Sequence, residues 1–356
     1  MKTHIQPQRG MTLVELMVAL AISMVIILAA VFVYTASVDS QRAQDRSTVS
    51  SETGAFAMQM MGRAIMNAGF YPAPALPIPV DVSQTGMYDT YPPIPATSRV
   101  STDWADPASG WPPTAFQTGI YGCDGAKLDV ATSLCGTETA NDPDTLVINY
   151  FTSDSMGGAT GSRFDCTGRD VASDPSNSER NKDAKGVTIA DGKPPRLPLF
   201  GSNRYALSAG TVYVGRSEVS TKSLVCSGNG KSPHGTADST AYQPLLAGIE
   251  DMQFTYGIYS TNQTLSPDRF YTAKEVNGLS STVIDGVTMT GWQRVVSIRV
   301  CILTKTLNGR TRIADKSGSE RKYVDCQEVE KSQPTGETYT RLVQVFGARN
   351  GLKQSY

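Results

Sequence analysis

The chain has 356 residues, with 32 Lys plus Arg against 33 Asp plus Glu and a formal net charge of −1. That balance argues against a basic nucleic-acid surface and against an acidic tail seeking a basic partner. The length allows one or two domains with a sizeable core. The 32 glycines and 20 prolines suit a loop-rich β domain rather than a disordered chain.

Residues 1–10, MKTHIQPQRG, are polar, with Lys2 and Arg9 positive. From Met11 the character changes abruptly, and no charged residue stands between Glu15 and Asp39. As a helix this run spans ~35 Å, enough to cross a hydrocarbon core of about 30 Å. A cleaved secretory signal has a shorter apolar run, no acid inside it and a small-residue site at its far end. An ordinary signal anchor leaves Glu15 unexplained, because a carboxylate inside a membrane helix is expensive. The positive flank on the N-terminal side predicts that this end stays cytoplasmic and that the chain from about Asp39 onward is periplasmic.

The segment GMTLVEL, residues 10–16, resembles the type IV prepilin signature. That resemblance implies cleavage by a prepilin peptidase after Gly10 and methylation of the new N-terminal residue, Met11. Met11 departs from the commoner Phe. The resemblance also gives Glu15 a role, in which its carboxylate meets the positive amine of a neighbouring subunit's first residue. Such a pairing offsets the desolvation cost only on assembly.

The polar continuation from Asp39 is predicted to extend the same helix to about residue 70, where Gly69, Pro72 and Pro74 end it. Val49, Phe56, Met60 and Ala64 lie near one face, with Ala57, Met61, Ile65 and Ala68 beside them. Arg42, Asp45, Arg46 and Glu52 occupy the opposite side. Residues 71–115 are rich in Pro and read as an extended wrapping segment.

Strand signals begin at TLVINYF, with Leu146, Ile148 and Tyr150 on one side. Residues 152–195 are polar and read as a surface insertion held by Cys166. Residues 204–216 read as a hairpin turning at Ala209–Gly210. Residues 248–259 place Met252, Phe254, Tyr256 and Ile258 on one face. Residues 292–305 alternate through Val296, Ile298, Val300 and Ile302, and 341–346 close the set. Strands with one apolar face predict an antiparallel sheet covered by the amphipathic half of the helix, hence an α+β fold.

The six cysteines are Cys123, Cys135, Cys166, Cys226, Cys301 and Cys326. None lies in a CxxC pair, so an even set of disulfides in an oxidising compartment is expected, with 15 pairings open. Cys301 lies in the strongest strand and Cys326 in KYVDCQEV, read as a neighbouring strand, which favours 301–326. Cys123–Cys135 is then a short local loop and Cys166–Cys226 the remainder.

No catalytic constellation appears. Of the two histidines, His4 precedes Gly10 and His234 sits in a polar KSPHGT loop. GxSxG, HExxH and P-loop patterns are absent. The aspartates of 124–129 and 165–174 lack EF-hand spacing. No metal, cofactor or enzymatic activity is therefore expected.

Taken in order, MGRAIMNAGFYPA, IYGCDGA, PDTLVINY, LLAGIEDMQFTYGIY and WQRVVSIRVCIL resemble the PilW family of type IV pilus minor pilins. The insertion at 152–195 has no counterpart in it. The resemblance implies a leader at 1–10, a membrane and filament-core helix at 11–38, an amphipathic continuation at 39–70 and a periplasmic pilin-like domain at 71–356. It implies a structural role, priming pilus assembly in a minor-pilin complex at or near the tip. The implied partners are other minor pilins, the major pilin, the prepilin peptidase and a tip adhesin, with the inner membrane as the site before assembly. Two alternatives stay open: a J-type minor pseudopilin of type II secretion, and a membrane-anchored periplasmic binding module.

Overall fold

The computed structural model describes residues 12–69, 119–129, 134–140, 142–151, 164–171, 200–214, 216–230, 242–259, 266–284, 287–306, 322–333 and 337–348. The proline-rich stretch, His234, Gly10 and Met11, and the side chains of Arg42, Asp45 and Arg46 lie outside them. The chain divides into two units, Met1–Val49 and Ser50–Tyr356.

Helix α1 runs Leu13–Asn67. It contains no proline, and its first glycine is Gly54, so no helix breaker interrupts the apolar stretch. Gly69, with φ 68°, follows the last turn, and its N–H donates to the Asn149 carbonyl at 2.8 Å. A left-handed glycine just past a helix is a common stop.

In chain order the strands are β1 (Ile120–Cys123), β2 (Thr145–Phe151), β3 (Phe200–Val214), β4 (Ser217–Gly228), β5 (Gln243–Ala247), β6 (Ile249–Ile258) and β7 (Arg269–Tyr271). The short helix α2 (Ala273–Asn277) precedes β8 (Thr282–Ile284) and β9 (Val287–Met289). A 3₁₀ turn at Trp292–Arg294 leads into β10 (Val295–Lys305), followed by β11 (Lys322–Val324), β12 (Glu330–Ser332) and β13 (Tyr339–Gly347). Strands β1–β5 form one antiparallel sheet in sequence order. A second antiparallel sheet has the order β13-β10-β6-β7. The pairs β8–β9 and β11–β12 stand as separate hairpins.

Gly248 carries the chain from one sheet to the other. Its φ is 89°, a conformation that glycine adopts without penalty. Its N–H donates to Lys222 on β4 at 3.0 Å, and its carbonyl accepts from Lys305 on β10 at 2.8 Å. One residue thus stitches the two sheets through its backbone.

A single core joins both sheets to the C-terminal turns of α1. Ala57, Met61 and Ile65 are fully buried with Leu146 and Ile148 of β2, Leu224 of β4, Met252 and Tyr256 of β6, and Ile298, Val300 and Ile302 of β10. The helix comes close to β13 because it has no side chain at two points. A Cβ on Gly54 would meet Leu342, and one on Gly62 would meet the ring of Phe346. Eight helical residues rise about 12 Å. Four strand residues rise about 13 Å. The two glycines therefore match the two apolar side chains in step.

The structure is α+β, as the residue pattern predicts, but several details differ. Two sheets share the core rather than one. The buried helix face is the column Ala57, Met61, Ile65, Ala68, whereas Val49 and Phe56 are more than half exposed. The column predicted as its neighbour is the true centre, and a shift of one position moves Phe56 outward by about 100°. Strands β3 and β4 stay paired from Asn203↔Gly228 out to Val214↔Ser217, so the hairpin turns between those last two residues. Ala209 and Gly210 lie mid-strand, because pairing overrides the local turn signal of a single glycine. On β10, an irregularity between Val295 and Ser297 puts Val295 into the main core. Val296 packs instead with Tyr259 and Met289. KYVDCQEV is tied to β10 by its cysteine but does not pair with it as a strand; among the described residues β11 pairs with β12.

Candidate assembly site

The first unit carries the residues at the start of the apolar run. Thr12 stands just before α1 and Glu15 at its third position. The Glu15 N–H donates to Thr12 Oγ1 at 3.3 Å, and Glu15 Oε2 accepts from the Thr12 N–H at 3.1 Å and from its hydroxyl at 3.2 Å. This reciprocal arrangement is a capping box, which satisfies two orphan donors of the first turn. It also holds the carboxylate against the positive end of the helix dipole. Thr12 was not singled out from sequence, although the T-x-x-E spacing immediately before an apolar run is its signature.

From Leu13 to Val38 the helix has a mean hydropathy of 3.0, and every residue from Leu13 to Ser37 is exposed in this chain. Leu20, Ile26, Leu28 and Phe32 each expose 60% or more of their surface. An apolar surface of this extent requires lipid or neighbouring helices. Two of the hydroxyls in the region are satisfied within the helix. Ser23 donates to the Ala19 carbonyl at 2.6 Å and Thr35 to Phe32 at 2.9 Å, which lowers their cost in an apolar medium.

The second unit is built to stay rigid. Disulfides join Cys123 to Cys135, Cys166 to Cys226 and Cys301 to Cys326, with Cα separations of 5.6, 6.3 and 5.7 Å. Two of them share one local design that the sequence reading missed. In Asp165-Cys166-Thr167-Gly168-Arg169, Asp165 Oδ1 accepts from the N–H of Thr167 at 2.8 Å and of Arg169 at 3.0 Å. In Asp325-Cys326-Gln327-Glu328-Val329, Asp325 Oδ1 accepts from Gln327 at 3.0 Å and Val329 at 2.8 Å. The fourth residue has positive φ in both, 76° at Gly168 and 65° at Glu328. Each turn is clamped by its Asp and bolted to a strand, β4 in one sheet and β10 in the other. The only sequence signal is the dipeptide Asp-Cys occurring twice.

Burial tunes the carboxylates differently. Asp144 is 4% exposed and sits between the sheets. Its two oxygens accept from the N–H groups of Gly125 and Phe254, both at 2.8 Å, and its own N–H donates to Met252 at 2.9 Å. Burial pushes its pKa up to about 8; the two hydrogen bonds oppose that, while Asp124 and Asp251 add to it. For Asp325, burial raises the pKa but is outweighed by the hydrogen bonds from Lys331, 2.7 Å away, and from Val329 and Gln327, so the net direction is down. Asp124 closes the N-terminus of α2, accepting from Ala273 at 2.8 Å and Lys274 at 2.6 Å. Asp124 and Asp165 are thus used as caps. Among the described residues no group of three or more His, Cys, Asp or Glu could hold a metal ion.

The comparisons with known proteins divide along the same lines. The family model "Prokaryotic N-terminal methylation motif" matches residues 5–31, which include Gly10, Met11, Thr12 and Glu15. The family model "Type IV Pilus-assembly protein W" matches residues 211–350, from the outer part of β3 through β13. LLAGIEDMQFTYGIY and WQRVVSIRVCIL fall inside that range; the three earlier segments precede it. No curated protein matches the chain. Among solved structures, a type IV-like pilin from Thermus thermophilus is similar over 60% of this chain and 82% of its own, at 10% identity and a TM-score of 0.26. At that score the likeness says nothing about how the two sheets are arranged.

Proposed function

We propose, from the premise that the chain is a PilW-type minor pilin, that it primes type IV pilus assembly as one member of a minor-pilin complex at or near the pilus tip. The observation that carries this reading is the pairing of a methylation motif on an exposed apolar helix with the PilW domain in a single chain. The role is structural. The first subunits of a filament lack neighbours for their apolar helices, and a preassembled set supplies them.

In this reading a prepilin peptidase cuts after Gly10 and methylates Met11. The N-terminus faces the cytoplasm, following Lys2 and Arg9, and the disulfide-bearing unit faces the periplasm. The Thr12–Glu15 cap keeps the carboxylate satisfied while the chain waits in the membrane. On assembly, Glu15 meets the amine of a neighbour's first residue. The other partners are the major pilin and further minor pilins, with a tip adhesin above them.

Deletion of the gene with counting of surface pili tests the role. Loss of pili with normal protein secretion is the expected result. Normal pili with impaired secretion would instead assign the chain to a type II secretion pseudopilus. Mass spectrometry of the mature protein tests processing, since an unprocessed Met1 rules out the leader.

A further inference from the structure

We propose that β13 is a docking edge, onto which another pilin subunit adds an extended strand. The inference rests on the pilin reading above and adds to it a location and a mode of contact.

Among the described residues β13 is the terminal strand of the second sheet and pairs with β10 alone. Two backbone bonds fix which way its groups point. Thr306 N–H donates to the Thr338 carbonyl at 2.9 Å, and Ala348 N–H donates to Val296 at 2.8 Å. In an antiparallel ladder the bonded positions recur every second residue. The even-numbered residues therefore face β10, and Arg341, Val343 and Val345 turn their N–H and C=O groups to the open edge. Natural edges are usually blunted by proline, a bulge or inward charge. β13 has no proline and runs in unbroken register from Tyr339 to Gly347. Val343 and Val345 are each about half exposed.

The other face of this edge is a groove of 460 Å³ running beside α1, with Ala55, Gln59 and Met66 on the helix and Leu342 and Phe346 on the strand. An added strand would satisfy the open backbone groups. Its alternate side chains would fall on the groove and beside the two valines. Arg63 lines the groove and has no ion pair among the described residues. The occupant these features fit is an extended segment of a partner pilin, apolar at alternate positions and carrying an acidic side chain near Arg63.

Val343 is the place to test the edge, because its N–H bonds to nothing in β10. Val343→Pro removes one outward donor and leaves the ladder intact, while Val345→Lys keeps the backbone and adds charge. The full-length chain would be expressed with the pilins of its own system, carrying a photocrosslinker at Gln59, which lines the groove. The expected adduct joins this chain to a pilin through a strand peptide, and both variants reduce it at least tenfold without changing the melting temperature in detergent. Adducts confined to this chain, or an unchanged yield in both variants, would overturn the proposal. Pilus counts separate the two readings: pili lost on deletion but normal in both variants leave the pilin role standing and reject the docking edge.

Discussion

At Asp144 a carboxyl with its pKa near 8 is held between two backbone donors. A folded-state pKa above the unfolded value means that the folded chain binds the proton more tightly, so this group makes stability fall as pH rises from about 4 to about 8. Asp144→Asn has no such slope. It also points an NH₂ at one of two N–H donors, which costs about 1–3 kcal/mol. Urea titrations across this range should show the variant less stable at pH 5 and the gap closing towards pH 8. Asp325 carries the opposite sign: its lowered pKa adds stability above the unfolded value near 3.8, lost as pH falls through the folded one. Glu328 holds a left-handed conformation at φ 65°. Glu328→Gly should stabilise by about 0.5–1 kcal/mol, since relief of that strain exceeds the loss of an exposed ion pair to Arg341. A lower thermal midpoint would show that the turn tolerates Glu without strain.

The contact between α1 and β13 turns on two missing side chains. Alanine is favoured over glycine in a helix by about 1 kcal/mol. At Gly62 a methyl group meets the ring of Phe346, and overpacking costs about 1–3 kcal/mol. Gly62→Ala is therefore expected to destabilise. At Gly54 the obstacle is the end of the Leu342 side chain, which can rotate, so Gly54→Ala should be close to neutral. Thermal melts of the two variants check the difference. The Cys301–Cys326 bridge closes a 25-residue separation, and Ser at both positions should cost ~2–4 kcal/mol. These contacts were not legible in the sequence. The helix and strand periods mark which residues are apolar, but not that Gly54 and Gly62 stand opposite Leu342 and Phe346 almost 300 positions later.

For the whole molecule the exposed apolar helix is the feature that calls for lipid or neighbouring helices. A charge at its centre, as in Ile26→Asp, costs roughly 2.5–3.5 kcal/mol of insertion, and membrane fractionation should find less protein at the membrane. Glu15→Ala should leave insertion intact and reduce incorporation into pili, read by immunogold labelling of filaments. By itself the sequence determined the apolar helix and the presence of strands with one apolar face. These properties depend on neighbours within a few residues, and short-range periodicity records them. The motif at Gly10–Glu15 is equally local, which is why the methylation-motif model and the residue pattern agree there. Only the tertiary structure decided that the strands form two sheets, that Gly248 stitches them, that Asp144 sits between them and that, among the described residues, β13 pairs on one side alone. Each depends on pairings between distant segments, and a strand's own side chains carry no mark of which strand will lie beside it or whether any will.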